Sequence, residues 1–234
     1  MLDPGLGKVN WSVGNLLAMA WNTEETRRRL KEAAVEEFAE YGLAGARVDR
    51  IAARSGVNKE RLYGYFGNKE RLFATVLRDE LALVASAVPM DLLQAEDIGE
   101  FAGHVFDYHC AHPHLVRLLH WEALAYGDGL VPDEELRGAY YREKVQAFAE
   151  AQSEGMLAGD PDAAHLVFLI LALAGWWFAV PQVARMLAGP AVDPAEDRAR
   201  QRGAVVEAAR RLALPQAVAA SAVRPRTRRR ASRA

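Results

Sequence analysis

Cysteine is nearly absent: Cys110 stands alone among 234 residues. An intrachain disulfide framework is therefore excluded, and a lone thiol in so long a chain suits the reducing cytoplasm. Long apolar runs are also scarce. Leu166 to Val180 is apolar throughout, but it falls short of the roughly 20 residues a bilayer span needs, and Pro181 ends it. A buried helix is the better reading, and no membrane partner is expected. The stretch before Ala18-Met19-Ala20 is short and interrupted by Gly14 and Asn15, so a cleaved secretory signal is not expected. Also missing are GxSxG, HExxH, a P-loop and a dinucleotide fingerprint behind a strand. Neither an enzyme nor a cofactor is expected.

What is present is a globular composition, 51% apolar and 26% charged, with a formal charge of −2. This excludes low-complexity disorder for the body of the chain. The charge is unevenly placed. Six arginines and no acid lie between Arg224 and Arg233, which leaves −8 on residues 1–223. Between Arg47 and Arg71 seven basic residues face three acids, a local +4. A basic island in an otherwise acidic protein is the footprint of a polyanion.

Helical periodicity runs through the whole chain, and no convincing strand pattern interrupts it, so the fold class is all-α. Asn22 and Glu25 have capping-box spacing, which predicts a helix opening at Asn22 or Thr23. Leu30, Ala34, Val35, Phe38 and Ala39 follow at helical spacing, with Gly42 as the stop. Two short helices are expected at Val48 to Arg54 and Asn58 to Phe66, and a longer one from about Asn68 to Ala87. Further helices are expected near 95–111, 113–125, 133–152, 161–187 and 194–212. Asp160-Pro161 and Asp193-Pro194 both read as helix starts, a cap followed by proline at the first helical position. Four segments result: an N-terminal extension at 1–22, a module at 23–88, a helical domain at 89–215 and an Arg-rich tail at 216–234.

The two short helices joined through Ser55-Gly56-Val57 make a helix-turn-helix. Gly56 permits the reversal, and Ile51, Ala52, Val57 and Leu62 can pack the pair together. Asn58, Lys59, Arg61, Tyr63 and Tyr65 then face outward from the second helix, whose size fits a DNA major groove. Lys59 and Arg61 carry donors for guanine, while Asn58 either reads a base edge or caps its helix. Arg47, Arg50, Tyr65 and Lys69 are placed for phosphates, which position the protein without specifying sequence. Phe66 is expected in the core.

At these residues the chain resembles the TetR family of transcriptional regulators. The continuous stretch from Val48 to Phe66, followed by Lys69-Glu70 and Leu72, is similar to that family's recognition motif, and Ala33-Ala34 with Phe38 to Gly42 is similar to its first helix. The resemblance spans roughly residues 23–85. It implies a three-helix DNA-binding domain, a linking fourth helix, and a helical C-terminal domain for ligand binding and dimerisation. It also implies base or backbone contact by Lys59, Arg61, Tyr63 and Tyr65, and phosphate contact by Lys69. One departure stands out: Arg47 occupies a position where the family often has threonine, so a hydroxyl cap is lost. The partners implied are a palindromic double-stranded operator, a second copy of the chain and a small-molecule effector.

The C-terminal half is less informative. His109-Cys110-Ala111-His112-Pro113-His114 offers metal-binding residue types, but neighbours on one short turn rarely converge on an ion, and no metal is expected. An apolar pocket with a few polar groups is expected instead, drawn from His104, Tyr108, His120, Trp121, Glu122, Phe148 and Trp176. The apolar helix carrying Trp176 and Trp177 suits packing between subunits. The alternative is a helical carrier or sensor for a metal or small molecule, without sequence-specific DNA binding.

Overall fold

The computed structural model describes residues 13–88, 95–189 and 193–215, with side chains described from residue 23 onward. These residues form ten helices and no strand: α1 (Val13–Gly45), α2 (Val48–Ser55), α3 (Lys59–Phe66), α4 (Lys69–Ala87), α5 (Ala95–Ala111), α6 (Pro113–Tyr126), α7 (Glu134–Ser153), α8 (Ala163–Ala179), α9 (Pro181–Ala188) and α10 (Pro194–Ala213). Residues 1–12 of the expected N-terminal extension and the whole Arg-rich tail lie outside the described residues.

Three boundaries differ from expectation. The first helix begins at Val13, so Asn22 lies within it and opens nothing; the preceding Leu16, Leu17, Ala18 and Ala20 are good helix formers that carry the turn through. The start expected at Asp160-Pro161 falls instead at Ala163, where the Asp162 carboxylate accepts from the N–H groups of Ala164 and His165 at 3.1 and 3.2 Å. The helix expected across 161–187 is two helices bent by 85°. Pro181 has no N–H to donate into the α8 ladder, and it serves instead as the first residue of α9. No single described helix is long and apolar enough to cross a membrane.

Two hydrophobic cores organise the molecule. The first gathers Leu30 and Phe38 of α1, Ile51 of α2, Leu62 and Phe66 of α3, and Leu72, Phe73 and Leu77 of α4. Phe38 and Phe73 meet edge to face with centroids 5.1 Å apart, the geometry the ring quadrupoles prefer. The second gathers Ile98 and Phe106 of α5, Phe148 of α7, Leu166 and Ile170 of α8, and Val205 of α10.

The two cores are stitched together by α6, whose Leu115 and Leu118 belong to the first. The stitch depends on Gly42. Its φ of 66° breaks α1, a conformation glycine adopts without steric cost. The indole of Trp121 lies so close that a Cβ on Gly42 would sit 2.6 Å from the ring. Near the break, the Ala39 carbonyl accepts from Arg117 Nε at 2.7 Å and from Trp121 Nε1 at 3.2 Å. A helix end that would otherwise leave a buried carbonyl unpaired is thus capped by the other half of the protein.

Candidate nucleic-acid interface

The bihelical corner forms for local reasons. Gly56 takes the left-handed conformation at φ 65° and closes α2, and the Val57 N–H donates to the Ala52 carbonyl at 3.2 Å. Ile51 and Leu62 are fully buried beneath the turn. The corner is fastened to α1 by Arg29, which donates to the Ser55 carbonyl, and by Arg54, which pairs with Glu36 at 3.1 Å. Asn58 caps α3 by accepting from the Arg61 N–H at 2.9 Å, which resolves its two open roles in favour of the cap. Asn68 does the same for α4 through the Arg71 N–H at 2.7 Å.

The missing hydroxyl cap of α2 has a substitute that sequence reading overlooked. Glu37 of α1 is fully buried, and its Oε1 accepts from the Arg47 N–H at 2.8 Å and from Arg50 Nε at 2.7 Å. Burial alone would raise the Glu37 carboxyl, but the hydrogen bonds from Arg50 and from the Arg47 backbone outweigh it and hold the group below its ordinary value. Arg50 also donates to the Gly45 carbonyl at 3.0 Å and lies over the Tyr41 ring at 4.2 Å. The expectation that Arg50 reaches for phosphate is therefore corrected: it is committed to holding α2 on α1. No sequence signal other than the acid itself pointed to Glu37, because its partners lie ten and thirteen residues away.

The outer side of α3 is cationic and open. Arg61 has no carboxylate partner among the described residues; its guanidinium donates to the Tyr65 hydroxyl at 3.3 Å. Tyr63 is 40% exposed. Lys59 pairs with Asp49 at 2.8 Å, but both side chains are largely in solvent, where such a contact is weak and readily exchanged. Their hydrogen bond raises the Lys59 amine and lowers the Asp49 carboxyl from their ordinary values. Arg47 is exposed at the start of α2. Tyr65 packs against Phe66, centroids 6.3 Å apart, and Phe66 is buried as expected. Lys69 donates from Nζ to the Ala46 carbonyl at 3.3 Å. Arg27 on α1 and Arg71 on α4 join this surface. Sequence reading counted Arg71 only as charge and passed over Arg27, because tertiary packing alone brings α1 alongside α4.

The seven residues expected to form an effector pocket do not converge. His104 and His120 are exposed, and Trp176 is 60% exposed: each sits on the turn of its helix that faces water. Trp121 is occupied at the Gly42 break, and Phe148 lies in the second core. Glu122 is buried against Arg137, with two hydrogen bonds of 2.7 and 2.9 Å. Tyr108 also lies near further polar groups. It stacks on His112 at 4.2 Å, and its hydroxyl and His109 Nδ1 are both buried without a partner among the described residues. Desolvation, and secondarily His112, lowers the His109 imidazole to about 4. Nearby, His114 Nε2 meets Glu80 Oε2 at 2.7 Å, tying α6 to α4. Among the described residues no three His, Cys, Asp or Glu side chains are grouped to hold a metal.

Comparisons with known proteins agree with this geometry. Residues 30–76 match the model of bacterial regulatory proteins of the tetR family, and residues 97–211 match that of the tetracyclin repressor-like C-terminal domain. The HTH-type transcriptional repressor SCO4008 of Streptomyces coelicolor is 44% identical over 170 residues, covering 73% of this chain and 87% of that one. The HTH-type transcriptional repressor NicS of Pseudomonas putida is 31% identical over 162 residues, covering 66% and 76%. Among solved structures, the putative transcriptional regulator SCO4942 of Streptomyces coelicolor superposes with a TM-score of 0.69 at 35% identity, covering 80% of this chain and 98% of that one.

Proposed function

Since the chain belongs to the TetR family of DNA-binding bacterial regulatory proteins, we propose that it acts in the cytoplasm as a homodimeric repressor of a palindromic operator and is released by a small-molecule effector. The observation that carries this reading is the exposed side of α3, where the Arg61 guanidinium has no carboxylate partner among the described residues and Tyr63 is 40% exposed, with Arg47 exposed at the start of α2. Arg61 presents a planar fork that suits guanine in a major groove. Lys59 leaves its exposed pair with Asp49 to join it, while Arg47, Tyr65 and Lys69 hold the flanking phosphates. Repression is the output because both relatives named above are described as repressors.

The dimer is supported by α8. Phe168, Leu169 and Trp176 are 70%, 40% and 60% exposed on one helix, an apolar face too large to leave in water. A second copy laid against it sets two α3 helices on one duplex, with half-sites a helical turn apart or a multiple of it. Release follows if the effector binds better to a form with a different α3 separation. The lever is α4, which begins beside α3 and is held to α6 and α7 by Glu80–His114 at 2.7 Å and Arg78–Asp133 at 3.3 Å.

The test selects duplexes from a random pool and measures the chain's mass in solution. A palindromic motif bound by a dimer is the expected result, and Phe168→Glu combined with Trp176→Glu should give a monomer that binds the motif far more weakly. A chain that selects no motif, or that binds as a monomer with the double variant unaffected, overturns the proposal.

A further inference from the structure

An open cleft of about 680 Å³ lies where the C-terminal half of α3, the first three turns of α4 and the Pro132-Asp133 turn meet. Its volume is that of a small-molecule site. Two kinds of chemistry line it. Tyr63 and Tyr65 offer ring and hydroxyl surface, and Arg27, Arg71 and Arg78 bring three guanidiniums. Arg78 is shared between Asp79 at 3.4 Å and Asp133 at 3.3 Å. Arg27 and Arg71 have no carboxylate partner among the described residues, whereas Arg28, Arg50, Arg54, Arg137 and Arg202 each hold one. Of the two carboxylates lining the cleft, Asp133 is taken by Arg78, which leaves Glu70 against two guanidiniums without a carboxylate partner among the described residues, Arg27 lying over the Phe66 ring at 5.9 Å. The cleft therefore favours an anion.

Extent distinguishes the ligand. The lining follows α4 from Asn68 to Arg78, about 15 Å at the helical rise. It continues past α3 to Pro132 and Asp133 at its inner end, a stretch that a small ligand can occupy. What fits is small, with a ring to lie on Tyr63 and a phosphate for the forks of Arg71 and Arg27.

We propose that this cleft is a small-molecule site for a phosphate-bearing, ring-containing ligand of the nucleoside monophosphate class, and that its occupation excludes DNA from α3. The second clause rests on the reading of α3 as the DNA-facing helix; the first does not. Tyr63 serves both molecules, so the two compete directly, without a change of helix separation.

The experiment titrates the full chain with AMP, adenosine and inorganic phosphate by calorimetry, without DNA. AMP should bind at least about tenfold more tightly than either fragment, and Arg71→Ala and Arg27→Ala should each weaken it about tenfold. Arg71→Lys, which keeps the charge but loses the fork, should fall between. Ala74→Trp fills the inner end, so it should abolish AMP binding while leaving retention on DNA unchanged. AMP should weaken DNA binding by the native chain but not by Ala74→Trp. Failure of AMP to bind, equal binding by phosphate alone, or binding indifferent to both arginines would overturn the site. Arginine variants that weaken DNA binding in a chain that ignores AMP would assign the cleft to operator phosphates; the small-molecule claim then fails while the DNA-binding reading stands.

Discussion

The two cores are built to different standards of completeness. Around the first, the helix ends are served from within the chain, although Glu37 Oε2 is buried without a partner among the described residues. Asn58 and Asn68 cap their helices, the Glu37 carboxylate receives the Arg47 N–H, and the Ala39 carbonyl is met by Arg117 and Trp121. At the second, His109 Nδ1 is buried without a partner among the described residues, as is the Tyr108 hydroxyl where the two cores adjoin, and the apolar side of α8 is uncovered. Helix ends capped from both halves of the protein make the first module rigid, whereas a domain with bare apolar faces can be altered by what covers them.

The comparison is broken most directly at Phe38. Fully buried and in edge contact with Phe73, it carries the first core, and Phe38→Ala should cost about 3–5 kcal/mol in denaturant unfolding. An equal loss of the far-UV signal from both regions would mean that they unfold as one through α6. A separate early transition would mean that the DNA-binding module melts alone.

His109 sharpens the comparison from the other side. Its imidazole falls from 6.5 to about 4 because burial disfavours the charged form. A depressed folded value means that the unfolded chain takes up the proton first. The stability is fully present above about pH 6.5 and is lost as pH falls toward 4, by up to about 3 kcal/mol. His109→Leu should flatten that stretch of the stability profile with little loss at pH 7, since Nδ1 bonds nothing among the described residues. A profile identical in both proteins would show that His109 is hydrated in the native state.

Legibility followed the same division. The corner from Val48 to Phe66 was readable because its signals are local: Gly56 turns the chain, Asn58 caps the next helix, and Ile51 and Leu62 recur at the spacing that buries them. Arg50 was misread because Glu37 lies thirteen residues upstream, a distance that sequence periodicity does not span. The effector set failed for a related reason. Aromatic and polar residues mark a pocket only once their helix faces are known, and Trp121 and Phe148 were already taken by packing. The α8–α9 break was half visible: Pro181 announced a stop to the apolar run, but not the 85° at which α9 leaves α8.

On DNA, the expected effects are smaller and divide by chemistry. Arg61→Ala should cost about 1–3 kcal/mol on the selected operator and relax preference at one base pair, because among the described residues its guanidinium is held by Tyr65 alone, at the hydroxyl at 3.3 Å and over the ring at 5.9 Å, and can turn to a base edge. Binding to random duplexes should change little. Unaltered affinity and unaltered base preference would remove Arg61 from the readout.

Lys69 should give the smallest change and the most diagnostic one. It opens α4, and its amine already donates to the Ala46 carbonyl at 3.3 Å, so it both braces the corner and brings a cation to the rim of the interface. A point charge on a phosphate carries no sequence information. Lys69→Ala should therefore weaken operator and random DNA alike and reduce the slope of log affinity against log salt by about one. A loss confined to the operator, with the salt slope intact, would mean that the hydrogen bond to Ala46 is the important one and that Lys69 acts by setting the angle of α3. Melting temperature of the free protein separates these outcomes independently. It falls if the amine braces the Ala46 carbonyl, and it holds steady if the amine matters only when a phosphate is present.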